Sequence, residues 1–452
     1  MLPSFLHHDT PSRALTLLYG DDPSQLSAQR ARYISVVDHF VQRFGTEPTH
    51  IYSSPGRCEL GGNHTDHNGG LVLATTINLD VIAAVSPCEE QAFTVYSSGY
   101  ESPFHISLAS LLPNHAEHQT CQLFRGVAAG FDARGYRVGG LRVYLQSDVL
   151  FASGLSSSAA LEILLATILN DLYNHSSLDL RELAAIGQEA EHIFWRKPVG
   201  LLDQLTIGTG GVVHMSFQES ENPYIEPLSV EFEPHGYELL LVNPGGDHAQ
   251  LTADYRQIPE EMMSVAKFFG RERLIEIEEA DVVRRLPELR RSVGDRAVLR
   301  SLHFFEENHR VERQVRSLLD GDMGEFLSLV RASGSSSWRF LQNVFDPTYP
   351  DAQPLGVALA LAELQTNQLR LSSAYRIHGG GFGGTILLIV PISFVRLYEL
   401  EMSEAFGEQA CHKLRVRQFG CVDVSDLERL GHGAQSSLSK GGKTTMTRAF
   451  AR

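Results

Sequence analysis

The alternation of apolar and polar positions along the chain predicts a mixed protein of strands and helices. A short apolar run at 141–145 has the character of a buried strand, and we place that strand at 138–149. Apolar residues then recur at helical spacing, which predicts a helix over 159–173. Further elements are predicted in both halves of the chain: helices at 36–44, 121–131, 180–194 and 399–406, strands at 79–85, 212–217, 238–242 and 385–390, strand–loop–strand at 51–73, and mostly helix at 255–368.

A change of composition divides the chain into two predicted domains. Proline, glycine and acidic residues gather at 227–237, and a new apolar strand begins directly after them. We therefore place an N-terminal domain at 1–232, with a helical or loosely docked lead-in over 1–35, and a C-terminal domain at 233–430. Residues 431–452 are rich in Gly, Ser, Lys and Thr, and we expect them to form a disordered tail.

Charge and cysteine usage narrow the class of protein. A formal net charge of −16 over 452 residues makes a nucleic-acid-binding surface an unfavourable interpretation. Five scattered cysteines without CxxC spacing favour reduced thiols over zinc or a disulfide framework. We see neither a signal peptide nor an apolar run of the roughly 18–20 residues that a membrane helix needs. We therefore expect a cytoplasmic protein with no nucleic-acid or membrane partner.

Small residues stand where the strand at 138–149 gives way to the helix at 159–173. The stretch 153–161 reads Ser-Gly-Leu-Ser-Ser-Ser-Ala-Ala-Leu. A helix N-terminus exposes unpaired N–H groups and a partial positive charge, which suit an anion. Gly154 permits close backbone approach, and the serine hydroxyls can cap the helix or reach a metal. A phosphate cradle is the functional prediction, and an ordinary Ser-capped helix is the alternative.

A polar, glycine-rich segment at 55–70 is the first partner motif. It combines Arg, Glu, Asn, His and Asp in a turn, a mixture that a polyhydroxylated ligand requires. A metal site formed by His64, Asp66 and His67 is a weaker alternative, because adjacent loop side chains seldom converge on one ion. A plain polar turn remains the other alternative.

Two carboxylates form the second partner motif. Asp203 follows an apolar pair and precedes a glycine-rich turn, so we expect it to be partly buried and able to act as a base or charge partner. Glu191 lies on the preceding helix. Taken singly, Glu191 is typical of a solvated helix position and Asp203 of a helix cap.

The third partner motif is glycine-rich and runs from 378 to 384. Its glycines precede a strand, whereas a dinucleotide fingerprint has strand, glycines and helix in that order, so we discount a Rossmann site. A plain turn is the alternative. The segment 441–444 resembles the end of a Walker A loop, but no strand precedes it and Ser437 replaces the first glycine.

Together these motifs resemble the superfamily of galactokinase, homoserine kinase, mevalonate kinase and phosphomevalonate kinase (GHMP), and within it the galactokinase branch. The order and spacing hold from about residue 44 to residue 390. The matching positions are Gly56, Arg57, Leu60, Gly62, His64, Thr65 and Asp66 in the first motif, 154–162 in the phosphate loop, Gly200, Asp203 and Gln204, then Asn243, His248 and Tyr255, and finally Arg376 and 379–384.

The resemblance implies an α+β fold of two domains, one like ribosomal protein S5 and one a ferredoxin-like α/β sandwich, with the active site in the cleft between them. It implies that ATP, with Mg²⁺, phosphorylates galactose at its anomeric hydroxyl to give the α-1-phosphate. The implied partners are the small-molecule sugar and ATP, and we expect a monomer or weak dimer.

The resemblance also assigns roles to residues. Asp203 would act on the anomeric hydroxyl as base or electrostatic partner, and Arg57 would lie between that hydroxyl and the γ-phosphate. The implied substrate-binding residues are Asn63, His64, Asp66, Gly200 and Tyr255. The implied nucleotide-binding residues are Gly154, Leu155, Ser156, Ser157, Ser158, Gly380 and Gly381. Ser158 and Glu191 would hold Mg²⁺, which takes oxygen ligands.

One departure from the galactokinase pattern bears on the substrate. Glu59 stands where galactokinases have Asn, and Asn63 stands where they have a Glu against the sugar. Asn63 brings a hydrogen-bond donor but no charge, so we expect this exchange to influence sugar choice. A kinase for N-acetylgalactosamine, arabinose or galacturonate is therefore one alternative, and a non-catalytic sugar and ATP sensor is another. The intact stretch 154–160 favours an enzyme.

Overall fold

The structure is a computed structural model, and it describes Pro3, Leu6 and residues 12–150, 154–197, 199–220, 222–245 and 252–433. Within the described chain, eight strands form one sheet around two long antiparallel strands, β1 (His50–Gly61) and β2 (Leu71–Cys88). The other strands of this sheet are β3 (Ala92–Ser97), β4 (Phe104–Ser107), β5 (Gly140–Ser147), β6 (Val212–Ser216), β7 (Tyr224–Leu228) and β12 (Val422–Asp423). The order is β12-β1-β2-β5-β3-β4, with β6 pairing on β2 and β7 on β6.

Helices cover both faces of this sheet, because successive strand residues point to opposite sides. Val81, Ala83 and Val85 of β2 pack into one core, whereas Ile82 and Ala84 pack into the other. The first core receives α3 (Gln119–Ala133), α4 (Ser157–Asn174) and α5 (Leu180–Glu189), and α6 (Leu202–Thr209) packs nearby. The second receives α1 (Arg13–Tyr19), α2 (Pro23–Phe44) and α14 (Val424–Gly433).

A buried charge cluster fastens the lead-in helices to the sheet. Asp80 of β2 is fully buried, and its Oδ1 accepts a hydrogen bond from Arg32 NH1 of α2 at 2.6 Å. Its Oδ2 accepts from the hydroxyls of Tyr19 and Ser53 and lies 3.2 Å from Arg417 NH1. Burial of a charge is tolerated when it is paired and hydrogen-bonded. From residue 12 onward, the predicted lead-in is thus mostly helical and closely packed.

Within the described residues, the second half of the chain contributes a four-stranded antiparallel sheet and most of the helices. The strands are β8 (Tyr237–Val242), β9 (Ala374–Ile377), β10 (Ile386–Pro391) and β11 (Cys411–Leu414), in the order β11-β8-β10-β9. The helices are α7 (Thr252–Phe268), α8 (Glu279–Arg284), α9 (Leu286–Val293), α10 (Asp295–Leu319), α11 (Met323–Ser336), α12 (Pro354–Gln368) and α13 (Val395–Phe406).

The chain then returns to the first half. Arg417 N donates to Thr76 O at 3.1 Å, and Val422–Asp423 pairs with β1. The predicted boundary near residue 232 therefore separates the two sheets, although the last described segment completes the first sheet. Helix α14 reaches Gly433, and the rest of the predicted tail lies outside the described residues.

Helix α10 of the second half holds the end of β1 and the loop after it, which form the first partner motif. His303 Nε2 donates to Asn63 O at 2.9 Å, and Glu307 Oε1 accepts from Gly62 N at 3.0 Å. The packing of α10 therefore fixes the backbone at the start of this loop. In the described part of the chain, every helix is either too short or too polar to cross a bilayer.

Candidate active site

Arg57 and Asp203 meet although 146 positions separate them in the chain. The register of β1 against β2 shifts between Pro55 and Arg57, and such irregularities re-aim side chains. Arg57 Nε lies 2.7 Å from Asp203 Oδ1, and Arg57 NH1 donates to the carbonyl of Gly154. Arg57 thereby joins the first motif, the predicted phosphate cradle and Asp203 in one constellation.

The backbone at Ser156 is held in an unusual conformation at the start of α4. Its φ of 59° is left-handed, a region that non-glycine residues rarely adopt and that concentrates at functional sites. The Ser156 hydroxyl donates to Asp203 Oδ2 and makes no capping hydrogen bond to the helix. The first N–H groups of this 18-residue helix are therefore left without a side-chain cap, which suits an anion such as phosphate.

Asp203 is held in its ionised form. Burial acts to raise the pKa of this carboxyl, but the Arg57 guanidinium and the Ser156 hydroxyl lower the pKa more strongly, so the net pKa lies below its usual value. Asp203 also occupies the first turn of α6, where a negative charge is favourable. Its side chain is 25% exposed, so a ligand in the cleft can reach it.

A second carboxylate centre lies beside Asp203. Glu191, 1% exposed, stands in a π-helical turn, Ala190–Trp195, that continues α5. Its Oε1 lies 2.9 Å from Lys197 Nζ, and Gln204 Nε2 reaches its Oε2 at 3.4 Å. Gln204 also donates to Glu162 Oε2 at 2.9 Å. Two buried carboxylates are thus joined by one amide and share one nearby ammonium.

This centre fits a divalent cation such as Mg²⁺. Glu191 already attracts the Lys197 ammonium, which acts as a stand-in cation, and buried Glu162 Oε1 has no hydrogen-bond partner among the described residues. Ser158, 9% exposed, lies in the first turn of α4, one turn before Glu162. One carboxylate and one hydroxyl leave room for the waters and phosphate oxygens that Mg²⁺ retains.

The predicted substrate residues Asp66 and Gly200 are brought together. A Cβ placed on Gly200 would lie 1.8 Å from Asp66 Oδ2, so any larger residue here would displace the Asp66 carboxylate. Asp66 stands in a 3₁₀ turn, Asp66–Asn68, and its Oδ1 lies 3.6 Å from His67 Nε2. The carboxylate and the bare backbone of Gly200 form a close polar pair.

His64 and Asn63 turn toward the glycine-rich loop. His64 Nε2 donates to the Gly380 carbonyl at 2.9 Å, and burial lowers the pKa of His64 to about 3, so its ring is neutral. Asn63 is fully buried. Its Nδ2 donates to Glu59 Oε1 at 2.9 Å and to Gly379 O at 2.8 Å.

The acceptor side of the Asn63 amide is occupied as well. Asn63 Oδ1 accepts from Asn343 Nδ2 at 3.0 Å and from Ser337 Oγ at 3.3 Å. An amide offers two donors and two acceptor sites, so the protein uses all four. In this conformation Asn63 has no hydrogen-bonding capacity left for a sugar hydroxyl.

Glu59 and Asn63, the two exchanged positions, are partners in one hydrogen-bonded pair. Glu59 Oε1 also lies 2.7 Å from Arg376 NH2, and both side chains are buried. Burial raises the pKa of Glu59 to about 7, although Arg376 acts to lower it. In this chain the two exchanged positions therefore bond each other, and the Glu59 carboxyl lies against a buried guanidinium.

The glycine-rich loop faces both the sugar motif and the phosphate loop. Gly380 packs against the ring of Tyr255, and the Tyr255 hydroxyl donates to the Gly381 carbonyl at 3.0 Å. A Cβ on Gly379 would lie 3.2 Å from Gly154 O. The carbonyls of the loop are therefore engaged by protein groups. The backbone of Gly379, from the second half of the chain, lies close to the backbone of Gly154, from the first half.

Several residues of the site escape sequence reasoning. Lys197, His303, Glu307 and Asn343 all contact residues of the motifs, yet none stands in a recognisable pattern. The basic pair at 196–197, between Glu191 and Gly200, is the one local signal that singles out Lys197. Two positions singled out in the sequence, Ser153 and His248, lie outside the described residues.

The weaker metal alternative gains no support from the geometry. His64 is hydrogen-bonded to the Gly380 carbonyl. Among the described residues, the side chains close enough to share an ion are instead those of Glu279, Glu306 and His309. That group lies on α8 and α10, and two of its three members are exposed.

Comparisons with known proteins give a consistent result. A family model described as the galactokinase galactose-binding signature matches residues 38–87, and that of the GHMP kinase N-terminal domain matches residues 122–211. A galactokinase of Actinobacillus pleuropneumoniae serotype 3 is 31% identical over 373 residues, which cover 82% of this chain and 90% of that protein. A galactokinase of Glaesserella parasuis is 30% identical over 371 residues, covering 82% and 92% respectively.

Solved structures share the fold. The Lactococcus lactis galactokinase complexed with galactose superposes with a TM-score of 0.74 at 21% identity, covering 87% of this chain and 100% of that one. The mevalonate kinase of Methanococcus jannaschii superposes with a TM-score of 0.55 at 15% identity, covering 81% and 98%.

Proposed function

Because the chain belongs to the galactokinase family of the GHMP kinases, we propose that it transfers the γ-phosphate of ATP to the anomeric hydroxyl of galactose. The products are α-galactose 1-phosphate and ADP. The observation that carries the proposal is the Arg57–Asp203–Ser156 constellation, which lies where the phosphate loop, the sugar motif and α6 meet.

Asp203 orients the acceptor and Arg57 stabilises developing charge. The ionised Asp203 carboxylate accepts a hydrogen bond from the anomeric hydroxyl and aligns its oxygen for in-line attack. Because its pKa is lowered, Asp203 is a weak base, which favours an electrostatic role over early proton abstraction. The Arg57 guanidinium offsets charge on the transferring group, and such preorganised donors supply much of phosphoryl-transfer catalysis.

The nucleotide binds at the start of α4. The backbone N–H groups of Ser157 and Ser158, with the bare backbone of Gly154, receive the phosphates. Ser158 and Glu191 would hold Mg²⁺, which would supply positive charge to neutralise the phosphates. Gly380 and Gly381 lie on the loop opposite and remain the predicted nucleotide contacts there, while their carbonyls are engaged by protein groups.

The sugar lies against Asp66 and Gly200, with Tyr255 and His64 closing the pocket through the glycine-rich loop. Galactose remains the proposed substrate despite the exchange at Glu59 and Asn63, since these residues bond each other rather than lining the sugar pocket with free polar groups. Asn63 acts on the sugar site by fixing the loops around it. This role replaces direct contact with a hydroxyl.

The proposal is tested by ADP release with MgATP against a panel of sugars: galactose, glucose, N-acetylgalactosamine, arabinose and galacturonate. We expect the highest kcat/KM with galactose. A higher value with another sugar would keep the kinase chemistry and reject galactose as the substrate. Sugar binding by calorimetry without any ADP release would reject the enzyme in favour of a sensor.

A further inference from the structure

Lys197 is a charged side chain of the site to which the proposed reaction gives no task. Its ammonium lies 2.9 Å from Glu191 Oε1 and 4.9 Å from the centroid of the Trp195 ring. Lys197 is within electrostatic range of Asp203 as well. It therefore lies at the site, against Glu191 and near Asp203.

In the contact between Lys197 and Glu191, the ammonium has the features of a cation that can be replaced. Glu191 is almost completely buried, and a buried carboxylate without a counter-ion is strongly unfavourable. Lys197 supplies that counter-ion through a single contact, and its side chain remains 42% exposed. A lysine ammonium is a compact point charge on a flexible stem, whereas a forked guanidinium would be held by two bonds. It can leave the carboxylate without unfolding a buried network.

Glu191 Oε1 cannot bind the Lys197 ammonium and a metal ion equally well at the same time. We propose that Lys197 is a built-in counter-cation that occupies the Glu191 carboxylate in the empty enzyme and yields it to the divalent cation. The inference rests on the proposed function, because it takes Glu191 as the metal ligand. Two measurable consequences follow, one for the metal and one for the nucleotide.

Removal of Lys197 exposes Glu191 to free metal. The variant Lys197→Met keeps the length of the side chain and removes its charge, so the metal no longer competes with an ammonium. Mn²⁺ affinity in the absence of nucleotide, measured by electron paramagnetic resonance, should rise on the order of tenfold. Affinity for ATP in excess EDTA should fall by a similar factor, on the order of tenfold, because Glu191 then repels the triphosphate.

Three further variants separate this role from a general effect of charge or packing. Lys197→Arg keeps the positive charge and, because a guanidinium is held at least as firmly, should not raise Mn²⁺ affinity above the wild-type value. Lys413→Met breaks the other close lysine pair, 2.7 Å to Glu238 on the second sheet, and should change neither affinity. In a Glu191→Gln background, Lys197→Met should leave Mn²⁺ affinity unchanged, because the competition has been removed. Thermal melting of each variant establishes that it is folded.

The outcomes distinguish this inference from the proposed function. An unchanged Mn²⁺ affinity in folded Lys197→Met, with the wild type binding Mg²⁺ and a non-hydrolysable ATP analogue normally, overturns the inference alone. An equal rise in Lys413→Met would also overturn it. A wild-type protein that binds no ATP analogue at all would instead reject the proposed kinase function.

Discussion

The substitution Asp203→Asn separates catalysis from stability at the centre of the site. Asparagine keeps the shape of the side chain and can still accept from Arg57 while it faces the Ser156 hydroxyl, but it removes the charge. Loss of one preorganised electrostatic contact to the transition state typically costs about 10²–10³ in rate. We therefore expect kcat to fall by about 10²–10³, with ADP release as the assay.

Asp203→Asn should lower the free energy of unfolding by less than it raises the activation free energy of the reaction. Asp203 has a charge-assisted hydrogen bond to Arg57 at 2.7 Å, and its side chain is 25% exposed. Hydrogen bonds to charged groups contribute about 1.5–3 kcal/mol, and partial exposure reduces that figure to about 1–2 kcal/mol here. Since the folded pKa of Asp203 is lowered, its contribution is present above the unfolded pKa and is lost as pH falls. The difference in unfolding free energy between wild type and variant should therefore shrink in acid.

A second ion pair in the same domain offers a matched control. Arg125 and Glu117 are also 2.7 Å apart, with side-chain exposures of 7% and 25% that equal those of Arg57 and Asp203. Glu117→Gln should lose a similar stability, about 1–2 kcal/mol, and keep kcat within about threefold. Equal losses of kcat in the two variants, or wild-type kcat in Asp203→Asn, would refute the reasoning.

Three other substitutions probe the sugar and phosphate sides of the cleft. Gly200→Ala places a methyl group against Asp66, so KM for galactose should rise at least about tenfold, whereas ATP binding by calorimetry stays unchanged. Burial lowers the pKa of His64 to about 3, so the unfolded protein takes up a proton at His64 at a higher pH than the folded protein does, and the free energy of unfolding decreases as pH falls below the pKa of an unfolded histidine. His64→Gln should therefore flatten the decline in unfolding free energy between about pH 6.5 and 4. An unaltered pH profile would count against this prediction. Ser156→Ala removes a hydrogen bond to the catalytic carboxylate and should lower kcat about tenfold, and an unchanged rate would exclude that bond from catalysis.

Local structure was well predicted where periodicity and length agree. The helix predicted at 159–173 is α4, Ser157–Asn174, and the strand predicted at 138–149 is β5, Gly140–Ser147. The helix predicted at 180–194 is regular only to Glu189 and then becomes the π-helical turn that carries Glu191. Apolar spacing indicates a helix, but it does not reveal where the backbone hydrogen bonds change from the i−4 to the i−5 carbonyl.

The family and the α+β fold are confirmed, whereas the residue roles stay predictions. Motif resemblance placed Arg57, Asp203 and the phosphate loop at one site, and the structure brings these groups into hydrogen-bond contact. Resemblance also assigned Asn63 to the sugar, and the structure instead shows its amide fully engaged by protein. Which partners a buried amide finds depends on the packing of distant segments.

The features that the sequence did not reveal are contacts between distant parts of the chain. The Asp80 cluster joins Arg32 to Arg417, and α10 brings Glu307 to Gly62 across 245 positions. No local periodicity encodes such pairs, because the partners lie far apart along the chain. Tertiary packing alone turns them into buried supports for the site.

The most direct test of the central claim is the position of the transferred phosphate. The protein should be incubated with galactose and MgATP, and the product should be examined by phosphorus-coupled proton NMR. A phosphate on the anomeric oxygen, seen as coupling of the anomeric proton to phosphorus in the α configuration, is the predicted result. Phosphate on another hydroxyl, or release of ADP with no sugar phosphate formed, would contradict the account.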